Sequence, residues 1–130
     1  MKVSKFEDLE SWKAARKLVN FIYAMSRQEL FAKDFKLSSQ IQAAAVSVMS
    51  NIAEGFDRRS DKEFIRFLEI ASASATEVQS QLYVALDQQY IDDTSFQEAY
   101  DHAAKTKQLI FGFMRYLKTS DVGRRTSDVS

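Results

Sequence analysis

Four basic residues stand around one short stretch of this 130-residue chain: Arg58, Arg59, Lys62 and Arg66. Cations at that density can hold phosphates, by direct charge and by releasing the counterions of a nucleic-acid backbone. Lys13, Arg16, Lys17, Arg115 and Lys118 can join them if the helices that carry them end at the same place. The cluster also has a plainer explanation. Bases near a helix C-terminus complement its dipole, and Asp57, Asp61 and Glu63 neutralise much of the turn.

A second polar line, Ser47, Asn51, Glu54 and Arg58, recurs at helical spacing. It is either the boundary between core and solvent, with Glu54 and Arg58 as an i,i+4 pair, or a polar network shared with another helix. Asn51, Glu54 and Gly55 are therefore candidates for packing or assembly. Catalytic chemistry is poorly supplied. A di-metal carboxylate site in a helical bundle needs Glu-x-x-His pairs on two helices. Here the one histidine, His102, has Ala99 three residues before it and Glu98 four before, so no metal is expected. Ser72, Ser74 and Thr76 carry hydroxyls, and in a packed helix such small residues serve close approach. No Gly-rich phosphate loop or cofactor fingerprint occurs. The expectation is a protein with no catalytic residues, no cofactor and no small-molecule substrate.

The elements that position these residues follow from composition and periodicity. The length is that of one domain, able to bury roughly two thirds of its unfolded surface without a staple. There is no proline and only three glycines, which favours helices over strands joined by tight turns. The absence of cysteine fits a reducing cytoplasm. The N-terminus lacks the apolar core of a signal peptide, and no apolar run approaches the ~20 residues that span a bilayer.

The first helix is predicted from about Phe6 to Gln28, with Leu9, Trp12, Ala15, Leu18, Val19, Ile22 and Met25 inward, and a Ser4–Glu7 capping box with Asp8 as a competing cap. A link at 29–37 is pinned by Phe31 and Phe35. The second helix runs from about Ser39, capped by Ser39 or Ser38, to Asp57, with Ile41, Ala44, Ala45, Val48, Ile52 and Phe56 inward. The third opens on the capping box Ser60–Glu63 and reaches about Gln88. Phe64, Leu68, Ala71, Ala75, Val78, Leu82 and Ala85 repeat every seven residues on it. The fourth, capped by Thr94 or Ser95, reaches about Lys118 on Phe96, Tyr100, Ala103, Ile110, Phe113, Met114 and Leu117. Lys107 falls on that seam and snorkels, and Gly112 signals a close helix contact. Residues 1–118 thus form an all-α, antiparallel up-down-up-down four-helix bundle, and 119–130 a disordered tail.

That topology gives the molecule two electrical ends. Residues 1–17 carry five bases and three acids, 57–66 four and three, and 105–125 six and one, a net +8 at one end. Residues 67–104 carry seven acids and no Lys or Arg. Ile65, Phe67, Ile70, Tyr83 and Leu86 are apolar outside the third helix's seam. Such a surplus suits a helix covered by several neighbours or by another subunit.

The segments Phe6-Glu7-Asp8-Leu9-Glu10-Ser11-Trp12-Lys13-Ala14-Ala15, Leu37 with Gln40-Ile41, Ala45-Val46-Ser47 with Asn51-Ile52-Ala53-Glu54-Gly55, and Phe64-Ile65-Arg66-Phe67-Leu68 with Ile70-Ala71 and Glu77 resemble one known family. It is the bacterial four-helix bundle proteins encoded in 23S ribosomal RNA intervening sequences, and the accessory protein of diversity-generating retroelements is similar. The resemblance covers about residues 6–118, and Asn51–Gly55 is its most specific part. The chain lacks the proline the family often has before the second helix, and has Ala73 where a glycine is frequent. The resemblance implies a homopentameric ring, no known catalysis, and a role in binding RNA or DNA. The functional expectation is a cytoplasmic, non-enzymatic oligomer that binds nucleic acid through a basic surface. The alternative is a protein-interaction scaffold without nucleic-acid binding.

Overall fold

The computed structural model describes residues 3–127, with side chains as far as Thr119. A 3-10 turn, Phe6–Asp8, leads into α1, Glu10–Ser26. A short α2, Glu29–Lys33, precedes α3, Phe35–Phe56; α4 spans Asp61–Asp87 and α5 Asp93–Ser127. No described residue lies in a strand. The chain is all-helical with four long helices, as its composition predicts.

One of the four helix starts follows the sequence pattern. Ser60 Oγ accepts the Glu63 N–H at 3.2 Å, which places Asp61 and Glu63 at the positive end of the α4 dipole. The Ser4–Glu7 box does not cap α1, which begins at Glu10 behind Leu9 with no side-chain cap. Apolar burial sets that entry instead. Leu9 is buried, and Phe6 meets Trp12 edge-on with ring centroids 5.2 Å apart. At α3, Asp34 Oδ1 accepts the Leu37 N–H at 3.0 Å, so the helix starts at Phe35, ahead of Ser38 and Ser39. At α5, Asp92 Oδ1 takes the Ser95 N–H at 2.8 Å, ahead of the expected Thr94 and Ser95 caps. In both cases a carboxylate, the stronger acceptor, displaces a hydroxyl cap. The last helix continues to Ser127, beyond its expected end at Lys118. Residues 128–130 of the expected tail lie outside the described residues.

α3 packs against α1 and α4, and α5 packs against the same two, so the outer faces of α1 and α4 point to opposite sides. All seven residues of the α4 repeat are buried. Each large apolar side chain removed from water in this way contributes about 1.5–3 kcal/mol. The α5 seam differs from its expected form. Ala99 and Thr106 are buried on it, whereas Tyr100 is only half-buried. Thr106 can occupy the core because its Oγ1 donates to the His102 carbonyl at 2.8 Å. Lys107 stands beside the seam, half-buried, and its Nζ donates to Gln79 Oε1 at 3.3 Å. Gly112 marks no close helix contact: a Cβ there would meet only Arg115 Nη2 at 3.8 Å.

At the end where α4 meets α5, Phe31 is fully buried and stacks on Tyr90 at 5.4 Å, and the Tyr90 hydroxyl donates to Asp34 Oδ2 at 2.9 Å. Phe35 does not pin the link; it is 80% exposed.

Candidate nucleic-acid interface

The turn between α3 and α4 sits on a chain of aromatic rings. Phe56 meets Phe64 at 6.1 Å, Phe64 meets Phe113 at 5.0 Å, and Phe113 meets Tyr116 at 6.2 Å. Phe113 and Tyr116 also line a cleft of about 260 Å³ with Val3, Leu9 and Ser11. The end of α3, the start of α4, the start of α1 and the later part of α5 therefore meet at one end. Gly55 makes the turn tight. A Cβ on it would stand 2.8 Å from Phe64 Cδ1 and 2.8 Å from Phe67 Cβ.

Arg58 and Arg59 lie in this turn, Lys62 and Arg66 on the first turns of α4, and Arg115 and Lys118 on α5 beyond Phe113; all six are exposed. Arg58 lies over the Phe67 ring, its guanidinium carbon 4.6 Å from the centroid. That stack holds the exposed cation at the surface. Sequence periodicity marked Phe67 only as surplus apolar surface, and its spacing to Arg58 carries no helical signal because the turn intervenes.

The three bases of α1 are placed differently. His102 Nε2 lies 2.8 Å from the Ala14 carbonyl oxygen, and Phe21 packs on its ring at 5.5 Å. Arg16 and Lys17 are therefore level with the first half of α5, away from Arg115 and Lys118. Lys13 is paired with Glu10 at 3.2 Å, and Arg16 leans over Trp12 at 5.8 Å. The end of the molecule thus gathers six of the nine candidate bases, and α1 carries the other three along its side.

The polar line on α3 is a network that reaches a second helix. Asn51 Nδ2 donates to the Ser47 carbonyl at 2.8 Å and to Ser47 Oγ at 3.0 Å, and Ser47 Oγ bonds Ser74 Oγ of α4 at 2.8 Å. Glu54 is exposed, and no Glu54–Arg58 ion pair occurs among the described residues. Of the two other hydroxyl residues, Thr76 donates through Oγ1 to the Ser72 carbonyl at 3.3 Å.

The opposite end holds the groups whose acidity is displaced. Hydrogen bonds from Ser95, chiefly its backbone N–H, hold the Asp92 carboxyl below its ordinary value. The hydrogen bond to Asp34 and then burial push the Tyr90 phenol up. Asp92 and Tyr90 were not candidates from the sequence, because their partners Ser95 and Asp34 are fixed by cap choice and by a contact across the fold.

The sequence model of a family described as 23S rRNA-intervening sequence protein matches residues 7–112. A protein of unknown function from the S23 ribosomal protein family of Bacteroides thetaiotaomicron VPI-5482 has a similar crystal structure. The TM-score is 0.74 at 21% identity, over 81% of this chain and 95% of that one. No curated protein sequence matches the chain.

Proposed function

The chain belongs to the 23S rRNA-intervening sequence protein family, and from that premise we propose that it is a cytoplasmic, non-enzymatic, homo-oligomeric bundle that binds RNA or DNA through the phosphates. The helix arrangement is read as antiparallel up-down-up-down, with α1 and α4 running one way and α3 and α5 the other. The resemblance at Asn51–Gly55 supports a pentameric ring.

The observation that carries the reading is the gathering of Arg58, Arg59, Lys62, Arg66, Arg115 and Lys118, all exposed, around the Phe56–Phe64–Phe113 end. Such a surface reads charge and spacing, so its binding has little sequence preference. Repetition around a ring multiplies weak sites into useful avidity. The hydroxyl and imidazole groups that could suggest catalysis already serve the fold: Ser74 bonds Ser47, and His102 bonds the Ala14 carbonyl.

The test is a salt titration of binding to single- and double-stranded RNA and DNA. Phosphate contacts make log K fall by about 0.7–0.9 per contact against log salt. Absence of binding at micromolar protein and ~50 mM salt would overturn the reading, since non-specific contacts bind in that range. The scaffold alternative would then take over. It is favoured by one specific observation, the exposure of Leu30 (58%) and Phe35 (80%) around α2.

A further inference from the structure

The outer faces of α1 and α4 carry opposite charges at the same spacing. On α1 the exposed line Lys17, Asn20, Ala24 continues to Arg27 at the helix cap. On α4 the exposed line is Glu77, Ser80, Val84 and Asp87. Both lines advance by three, four and three residues, so each is one straight stripe of a helix surface. The charges at the two ends of each stripe are ten residues apart, about 15 Å along a helix. Among the described residues, Lys17, Arg27 and Asp87 have no side-chain partner within the chain, and Glu77 accepts only from Gln81 of its own helix, at 3.2 Å.

Heights along the fold agree as well. Phe113 touches Phe64 of α4 and shares a cleft with Leu9 and Ser11 of α1. Further along, His102 reaches the Ala14 carbonyl, and Gln79 Nε2 reaches the Tyr100 carbonyl at 3.5 Å. Together these cross-links bracket the level of Lys17 on α4 to within roughly ten residues, a span that includes Glu77, and the same offset brings Arg27 to Asp87. We infer that the outer face of α1 docks on the outer face of α4 of a second copy, pairing Lys17 with Glu77 and Arg27 with Asp87, with Ala24 against the 44% exposed Val84. The inference rests on the oligomeric reading above and names its interface.

The two faces differ and point to opposite sides of the subunit, so the contact is head-to-tail. Copies related by rotation about an axis parallel to the helices keep residues at equal height. A pairing at equal height closes into a ring, and an offset pairing climbs into a filament. It also gives a use to the α1 side, whose bases the fold keeps from the basic end. The occupant is a second copy because α4 from Phe67 to Asp87 bears Glu69, Glu77 and Asp87 and no base, while α1 bears Lys13, Arg16 and Lys17 against Glu10 alone.

The experiment is sedimentation equilibrium on wild type, on K17E/R27E, on E77K/D87K and on the chain carrying all four changes. The expected result is an assembled wild type, loss of assembly in both double variants, and recovery of the wild-type mass in the quadruple variant. Circular dichroism should show all four folded, since the positions are exposed. An assembled wild type whose double variants keep its mass would overturn the interface and leave the oligomeric reading standing. A monomeric wild type would overturn both. Loss of mass in the double variants without recovery in the quadruple variant would overturn the pairing. Binding to nucleic acid through Arg58, Arg59 and Lys62 is read separately and does not enter these outcomes.

Discussion

Gly55 approaches Phe67 so closely that a Cβ on the glycine would lie 2.8 Å from the phenylalanine's own Cβ. An atom next to the α4 backbone cannot swing away, so G55A must push α3 and α4 apart at the turn. The expected cost is about 1–3 kcal/mol, the range for overpacking a filled site. It would appear as a lower urea midpoint at unchanged m. An unchanged midpoint would mean that the helices separate freely here.

The Asn51–Ser47–Ser74 network should behave as one unit. N51A and S74A each remove a link and are expected to cost about 0.5–1.5 kcal/mol. Their combination should cost less than the sum, because the second change breaks a network already opened. Strict additivity in a double-mutant cycle would show that the two bonds act independently. E54A should leave the urea midpoint in place, since Glu54 is exposed and makes no side-chain hydrogen bond or ion pair among the described residues.

At the basic end, R58E/R59E/K62E should weaken nucleic-acid binding and flatten its salt slope, each lost phosphate contact removing its share. Arg58 also loses its stack on Phe67, about 0.5–1 kcal/mol of stability, so folding is checked alongside. The charge control belongs at Asp93 and Glu98, both exposed. Asp92 is unsuitable because it caps α5. D93K/E98K should bind at least as well as wild type. Equal binding by R58E/R59E/K62E would place the surface elsewhere, with the α1 side as the next site to reverse.

Acid should weaken the α5 cap. The Asp92 carboxyl is held below its ordinary value in the fold, so its contribution is complete above the unfolded carboxylate value near ~3.9 and fades as pH falls through the lower folded one. D92N keeps an acceptor without the charge, and its urea midpoint should fall less steeply over that acid window. Tyr90 has the reverse sign. Its raised phenol contributes fully below ~10 and the contribution is lost as pH climbs through the folded value. Y90F should remove that alkaline loss, and its persistence would assign it to another group.

The sequence alone revealed the four long helices and most of the buried face, but not the short α2, Glu29–Lys33, in what reads as a link. Apolar spacing is a local property, and the Phe64–Ala85 repeat needs no partner to be recognised. The Ser60 cap was legible for the same reason, its donor lying three residues away. Competition between neighbours was harder to read: Asp34 and Asp92 outcompeted serine and threonine caps, and Thr106 took the seam position read as that of Lys107. Relationships between elements with no shared periodicity came from the packing of the helices. Arg58 finds Phe67 across a turn, Tyr90 finds Asp34 from 56 residues away, and His102 finds the Ala14 carbonyl from 88 away. That last contact sets Ala14 of α1 against the first half of α5 and so separates Arg16 and Lys17 from the basic end. Charge along a chain is visible in its order, but which charges share a surface depends on the relative height and rotation of packed helices, and those are set by how the core side chains interlock.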